Sequence, residues 1–273
     1  ELDAINVQTG VRIGRDLSIG ELEADYDAVL WAIGCQTGRD LPVDGWSGTA
    51  NCVSGVKFLE AFNTGRMQVS AERVVCIGGG DTSVDVVSVA RRLGRIKNLN
   101  SQDRPEAVIG GYTAHDSAMA AMRQGAQVTL TALFNQSQMT AAAEEIDDAL
   151  TEGVTILNGV MPVGLVKGAD GRVTAVRMSE CVVDKQGVPQ PVENTEFEIE
   201  ADLVVSAIGQ GGDLSGIEEL GNERSLIEAD QFFQVPGRPG HFVAGDIVRP
   251  HLLTTAIRSA ERRVGKECRS RWS

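Results

Sequence analysis

Residues 73–94 read RVVCIGGGDTSVDVVSVARRLG. A short β-branched run meets three glycines and then a stretch with Val84, Val86, Val87, Ala90 and Leu93 near helical spacing. Strand, glycine turn and helix in that order, in a glycine-rich, aromatic-poor chain, suggest an α/β fold. The turn has the form GxGxxS, with Gly78, Gly80 and Ser83 at the key positions. The first glycine permits the tight turn, and the second lets the backbone approach a pyrophosphate. The helix then aims its N-terminal N–H groups and positive dipole end at that anion. Ser83 is small enough to pack helix on strand, and Gly79, Asp81 and Thr82 complete the turn. A dinucleotide site is expected here, with a bare glycine turn as the alternative.

A second feature is internal. Asp27-Ala-Val-Leu-Trp-Ala-Ile-Gly34 and Asp202-Leu-Val-Val-Ser-Ala-Ile-Gly209 share the pattern DxVxxAIG. The copies begin 175 positions apart, too far for a solenoid repeat. Two related domains, or two crossings between domains, account for that distance.

The remaining pattern fills in an α/β chain. Residues 11–13 read as a short strand, 17–23 as a polar stretch and 26–33 as an apolar strand. Helices are expected over 54–63 and 82–93, the second stopped by Gly94. Residues 96–111 read as a polar loop and 114–124 as a helix, followed by a strand over 127–133. Thr140 is a candidate cap for a helix reaching Thr151, stopped by Gly153, with a strand over 154–157. Between 163 and 199 the runs VGLV, RVTAVRM and EFEIE, separated by KGADG and DKQGVP, predict a small antiparallel β-meander. Strands over 202–208 and 240–243 follow, and a last helix begins near Thr254.

The chain's 273 residues would ordinarily hold one large domain or two smaller ones. Its 31 glycines fit many tight turns. The net charge of −13 disfavours a nucleic-acid surface or an anionic-lipid surface. From Arg258 to Ser273 six basic residues meet two acidic ones, so the rest of the chain carries −17. Cys35, Cys52, Cys76, Cys181 and Cys268 include no CxxC pair. That argues against a disulfide scaffold, a zinc ribbon or an iron–sulfur cluster within this stretch, and suits a reducing, cytoplasmic setting. No apolar run reaches the length of a membrane span.

The type of dinucleotide stays open. An acid at the end of the second strand favours NAD, and arginines favour NADP. This strand ends Leu133-Phe134-Asn135-Gln136, with neither. NADP is therefore unsupported and NAD undemonstrated; NADH is the favoured reading. A further motif is Gly240-His-Phe-Val-Ala-Gly-Asp246 followed by LLTTAI, a strand, a Gly-Asp turn and a helix start. It can set a carboxylate on ligand hydroxyls and helix N–H groups against an electron-rich ring.

Together DAVLWAIGCQTGRDLPVDG, VVCIGGGDTSVDV, ADLVVSAIGQ and HFVAGDIVRPHLLTTAI resemble the FAD-dependent pyridine-nucleotide oxidoreductases of the glutamate synthase small-subunit type. The four motifs stand in the family's order over nearly the whole chain. The resemblance implies two interleaved Rossmann-like domains with the β-meander between their elements. On this reading 1–66 and 209–260 are segments of an FAD domain, incomplete at its N-terminus. Residues 67–208 are the inserted NAD(P)-binding domain. Gly78, Gly79, Gly80, Asp81, Thr82 and Ser83 would then cradle the nicotinamide dinucleotide. Gly245 and Asp246 would hold the ribityl–phosphate region of FAD, and Thr254, Thr255 and Ala256 would face its pyrimidine. Gly34, Gly209 and Gln210 would lie near the cofactors at the domain crossings.

The resemblance implies hydride transfer from NADH or NADPH to FAD, then electron release to an iron–sulfur protein or larger catalytic subunit. It assigns no catalytic side chain, since positioning carries such a reaction. The alternatives are a non-catalytic nucleotide-binding or electron-transfer scaffold module and a thioredoxin-reductase-like enzyme, the latter disfavoured by the missing CxxC. The family's first FAD loop, and the cluster-binding region that often precedes it, have no counterpart before residue 27, so the FAD site is expected to be shared with sequence outside this chain. Leu133 and Phe134 replace the arginine pair of NADP-using members. The insertion before them is similar to the branch associated with dissimilatory sulfite reductase. Residues 261–273, ERRVGKECRSRWS, resemble translated vector sequence, with a native basic tail as the alternative. His115 is expected on the surface or in packing, and His251 near the flavin is the less favoured of its two readings. Cys35 and Cys52 are expected to be simple buried or loop thiols and Trp31 a core residue. The acidic helix AEEIDDALTEG reads as a solvated face.

Overall fold

A computed structural model describes residues 5–64, 71–91, 126–185 and 187–250. The expected loop over 96–111, the helix over 114–124, the stop at Gly94, His115, His251 and the last helix with Thr254, Thr255 and Ala256 lie outside them. The chain divides into two compact units, one formed by 1–37 with 210–273 and the other by 38–209.

The second unit is a parallel sheet covered on both sides. In chain order its sheet uses β3 (Cys52–Ser54), β4 (Arg73–Ile77), β5 (Gln127–Ala132), β6 (Thr155–Asn158) and β11 (Leu203–Ser206). They stand in the order β3-β11-β4-β5-β6, all parallel. Side chains alternate across a strand, so one run feeds two cores. Val74, Cys76, Leu203 and Val205 face a cluster with Val84, Val87, Leu130 and Ile146. Val75, Ile77 and Val204 face the other cluster, with Trp46, Val176 and Met178.

The first cluster is closed by α2 (Gly55–Asn63), α3 (Asp81–Ala90) and α4 (Ala143–Thr151). Ser54 caps α2 by accepting the Lys57 N–H. Thr140 does not cap α4. Its N-cap is Ala142, with no side-chain cap, while Thr140 donates its N–H to Gly79 O at 3.0 Å. Gly153 ends the helix at φ 82°, a left-handed value that suits glycine.

The second cluster is closed by the expected meander, β7 (Val160–Lys167), β8 (Val173–Val183), β9 (Pro189–Pro191) and β10 (Phe197–Glu200). β8 is the shared strand and pairs antiparallel with the other three. Buried Asn51 fastens it to the sheet. Its side-chain amide donates to Val173 O at 2.7 Å and to Asp202 O at 3.0 Å, and its carbonyl accepts the Val173 N–H at 2.9 Å.

In the first unit β1 (Val29–Trp31) pairs parallel with β13 (His241–Val243). Residues 17–23 depart from the expected polar stretch, because Ile19–Asp25 form a helix, α1. Ser18 and Glu21 make a reciprocal capping box, and Ile19 buries against Trp31 and Val243 in a core with Leu214, Ile227 and Ile247. Residues 11–13 shrink to a single bridge at Ile13. Two-residue strands β2 (Thr37–Gly38) and β12 (Gln210–Gly211) lie where the chain passes between units. The first passage thus falls at 37/38 and not at 66/67, because β3 and α2 build the second unit's sheet and core. Among the described residues no helix is long and apolar enough to cross a membrane, and no cluster of metal-binding side chains occurs.

Candidate functional site

The turn from β4 to α3 lies between neighbouring strand ends in the second unit. Gly78 has φ 151°, and its N–H donates to Thr131 O at 2.9 Å. A Cβ on Gly78 would stand 2.3 Å from Ala207 O, so only glycine fits. A Cβ on Gly79 would meet Ala132 Cβ at 3.3 Å and Met139 Cγ at 3.4 Å. Gly79 O accepts the Thr140 and Ala141 N–H groups at 3.0 and 3.3 Å. The segment after β5 is thereby tied to the turn.

Gly80 is the N-cap of α3 and, as a glycine, makes no side-chain cap. Its carbonyl accepts the N–H groups of Ser83 at 2.9 Å and Val84 at 3.4 Å, and the Ser83 hydroxyl as well. Ser83 is fully buried and fixes the helix against the turn, the packing role expected of it. Asp81 and Thr82 are half-buried on the first turn. On the opposite side, α2 comes close to α3. A Cβ on Gly55 would lie 3.2 Å from Thr82 Cγ2 and 3.3 Å from Val86 Cγ2. The helix end therefore offers a dipole, with glycines where a ligand's phosphates would need room.

The electrostatics around the turn are acidic. Loss of water and the Asp81 charge push the Asp85 carboxyl up. On α4, Glu145 is pushed up by loss of water and by the charges of Asp81, Asp85 and Asp148. Burial also pushes the Cys76 thiol well above its usual range, so it acts as a small apolar group at the strand end.

The other expected positions separate by unit. Gly209 belongs to the second unit, at φ 126°, exposed, with Arg39 Cδ 3.5 Å from where its Cβ would be. Arg39 donates its backbone N–H to Gly209 O at 3.0 Å, a partner that GRD alone did not suggest. Gly34, Gln210, Gly245 and Asp246 belong to the first unit. Gly34 and Gly245 have φ 66° and 78°, and nothing lies within 4 Å of where either Cβ would be. The Cys35 thiol donates to Asp246 O at 3.2 Å, which brings the Gly34 turn against the Gly245 turn. Thr37 Oγ1 donates to Gly211 O at 2.8 Å beside Gln210.

Gly245–Ile247 is a short 3₁₀ turn with Asp246 half-buried. Trp31 is core, as expected, and its indole N–H donates to Nδ1 of buried His241 at 3.1 Å. The Nε2 of that histidine lies 3.1 Å from Glu23 Oε1. His241 drew no attention in the sequence, because a histidine opening an apolar strand carries no signal of its partners.

The pyridine nucleotide-disulphide oxidoreductase family matches residues 95–260. The chain belongs to that family. Its relatives fit the glutamate synthase small-subunit type. The glutamate synthase [NADPH] small chain of Azospirillum brasilense is 31% identical over 271 residues, 90% of this chain and 49% of that protein. The NADP(+)-dependent formate dehydrogenase subunit beta of Moorella thermoacetica is 33% identical over 253 residues, 89% of this chain and 31% of its own length. This chain thus spans from about a third to about half of these relatives. Among solved structures, Mycobacterium tuberculosis FprA in complex with NADPH aligns with TM-score 0.70 at 19% identity. That match covers 95% of this chain and 67% of FprA, and shows the shared two-domain α/β fold.

Proposed function

We propose that this chain is the nucleotide-handling part of a flavoprotein oxidoreductase that takes hydride from a nicotinamide dinucleotide and passes electrons to an iron–sulfur protein or larger subunit. The observation that carries the reading is the Gly78–Ser83 turn, whose first glycine admits no side chain and whose helix is capped by a bare glycine. Gly78, Gly79 and Gly80 would let the pyrophosphate approach the backbone, and α3 would oppose its charge with the helix dipole. Ser83 holds that helix end in place through the bond of its hydroxyl to Gly80 O.

In the first unit, Gly245, Asp246 and Gly34 would border the FAD. The open space at both glycines and the half-buried Asp246 suit a ligand that runs along backbone. When bound, the nicotinamide supplies hydride at C4 and the flavin accepts it at N5. The residues of this chain orient the two cofactors and exclude water, and none is assigned proton transfer. Relatives named as a beta subunit and a small chain support a partner that receives the electrons.

The test is anaerobic addition of NADH and of NADPH to the full-length gene product, followed through the visible flavin absorbance. Bleaching by either nucleotide, followed by reoxidation with an iron–sulfur acceptor, is the expected result. A flavin-free product that binds neither nucleotide would contradict the reading.

A further inference from the structure

Arg39 stands at the carboxyl end of the second unit's sheet, held there by its own backbone. Its N–H donates to Gly209 O at 3.0 Å, and its carbonyl accepts the hydroxyl of buried Ser206 at 2.8 Å. The residue before it is wedged as tightly, since a Cβ on Gly38 would stand 2.6 Å from Ser54 Cβ at the end of β3. The Arg39 side chain then runs along Gly209, with Cδ, Nε and Cζ 3.5, 3.6 and 3.9 Å from where a Cβ on that glycine would be. The residue is exposed, and its guanidinium makes no hydrogen bond or ion pair among the described residues.

This end of β11 adjoins the glycine turn. Ser206 stands opposite Ile77 in the parallel register, and Ala207 donates its N–H to Ile77 O at 2.7 Å. Ala207 O is the atom that leaves Gly78 no room for a Cβ. In the order β3-β11-β4-β5-β6, strands β5 and β6 follow β4 on one side, and β11 returns on the other. The order therefore reverses between β4 and β11, and such a reversal opens a crevice at the carboxyl ends of the strands. Gly78 borders that crevice from the β4 side and Arg39 from the β11 side.

We infer that Arg39 is a further ligand-binding residue of this site, whose guanidinium grips the phosphate on the nicotinamide side of the dinucleotide. The inference rests on the dinucleotide reading of the Gly78–Ser83 turn. A dinucleotide seated on that turn spans the crevice, with one half over β5 and the other over β11. The half over β11 carries its phosphate past Arg39. Charge gives the guanidinium its purpose. The end of α3 supplies only about half a positive charge. Asp81 stands on its first turn, and its charge is felt by Asp85 and Glu145. A full cation on the opposite wall offsets that acidic field, and the planar guanidinium fork matches two phosphate oxygens.

Calorimetric titration of the 273-residue chain with NADH tests the inference. Arg39→Gln should weaken binding by about tenfold or more, the scale of one charged hydrogen-bonded contact. The bonds to Gly209 and Ser206 are made by the Arg39 backbone, so the urea midpoint of this variant should stay near that of the parent. Arg39→Lys keeps the charge and loses the fork, and should bind more tightly than Arg39→Gln. Raising salt from about 0.05 M to about 0.5 M should narrow the gap between Arg39→Gln and the unaltered chain, because an exposed charge contact is screened. Arg172→Gln removes the same charge from the exposed β7–β8 turn and should leave affinity within about twofold.

An Arg39→Gln affinity within about twofold of the parent would overturn the assignment of Arg39 while the dinucleotide site stands. A deficit that neither lysine nor salt reduces would overturn it as well, since charge would then play no part. No NADH binding by the unaltered chain would overturn the dinucleotide reading and this inference with it.

Discussion

The two DxVxxAIG segments share five identical positions yet occupy different surroundings. In the second copy, β11 lies between β3 and β4 and Leu203, Val204, Val205 and Ser206 are all buried. In the first copy, β1 pairs only with β13 among the described strands, and Leu30 is 57% exposed. Both strands end alike, in a positive-φ glycine at or near a passage between units. The motif therefore encodes a strand that leaves its sheet through a glycine turn. How deeply the strand is buried depends on its neighbours and not on its own residues.

The largest expected contrast lies at matched positions Val205 and Leu30. Val205→Asp buries an unpaired carboxylate in the central core and should cost about 4 kcal/mol or more, abolishing cooperative unfolding of the second unit. Leu30→Asp should change stability by less than about 0.5 kcal/mol. Urea unfolding followed by circular dichroism reads both. Similar losses in the two variants would mean that β1 is as central as β11.

The paired glycines give a smaller contrast. Alanine at Gly209, where φ is 126°, should cost about 1–3 kcal/mol through backbone strain. At Gly34, where φ is 66° and the Cβ would meet open space, the cost should be about 1 kcal/mol. The same urea midpoints rank them.

The smallest contrast concerns the leading aspartates. Asp202 accepts from the Arg73 backbone N–H at 2.9 Å and pairs with its guanidinium at 2.7 Å. Those bonds hold the Asp202 carboxyl below its usual range. Asp27 makes no such pair among the described residues. Asp202→Asn should cost about 1 kcal/mol near pH 7, reduced because the pair is partly exposed. A lowered folded pKa stabilises above the unfolded value near 3.9 and loses that effect as pH falls through the folded one. The difference between Asp202→Asn and the parent should therefore shrink below about pH 4, while Asp27→Asn stays near neutral throughout.

Much of this was readable in advance where a local rule and the global fold agree. RVVCI and GGGDTS specify strand, turn and helix start within a few residues, and the structure matches them closely. The meander was legible because KGADG and DKQGVP punctuate alternating strands. Helix α1 was missed although Ser18 and Glu21 stand at capping-box spacing, because so short a helix has little periodicity to announce it. The passage at 37/38 was missed because it depends on which sheet Cys52–Ser54 joins, a long-range pairing that composition does not report. The same holds within the candidate site. The glycines were legible, but Ala207 pressing on Gly78 and Thr140 bound to Gly79 come from two other parts of the chain.

The central claim is that Gly78–Ser83 receives a dinucleotide pyrophosphate, and Gly80 tests it most directly. Gly80 has φ −107°, and a Cβ there would be 3.2 Å from the flexible Thr140 hydroxyl, so a side chain can be added without breaking the fold. Gly80→Asp places bulk and negative charge where the pyrophosphate would lie. Calorimetry should show NADH binding to the unaltered chain and a loss of at least ~100-fold in Gly80→Asp, with the urea midpoint little changed. Unchanged NADH affinity in that variant would contradict the account.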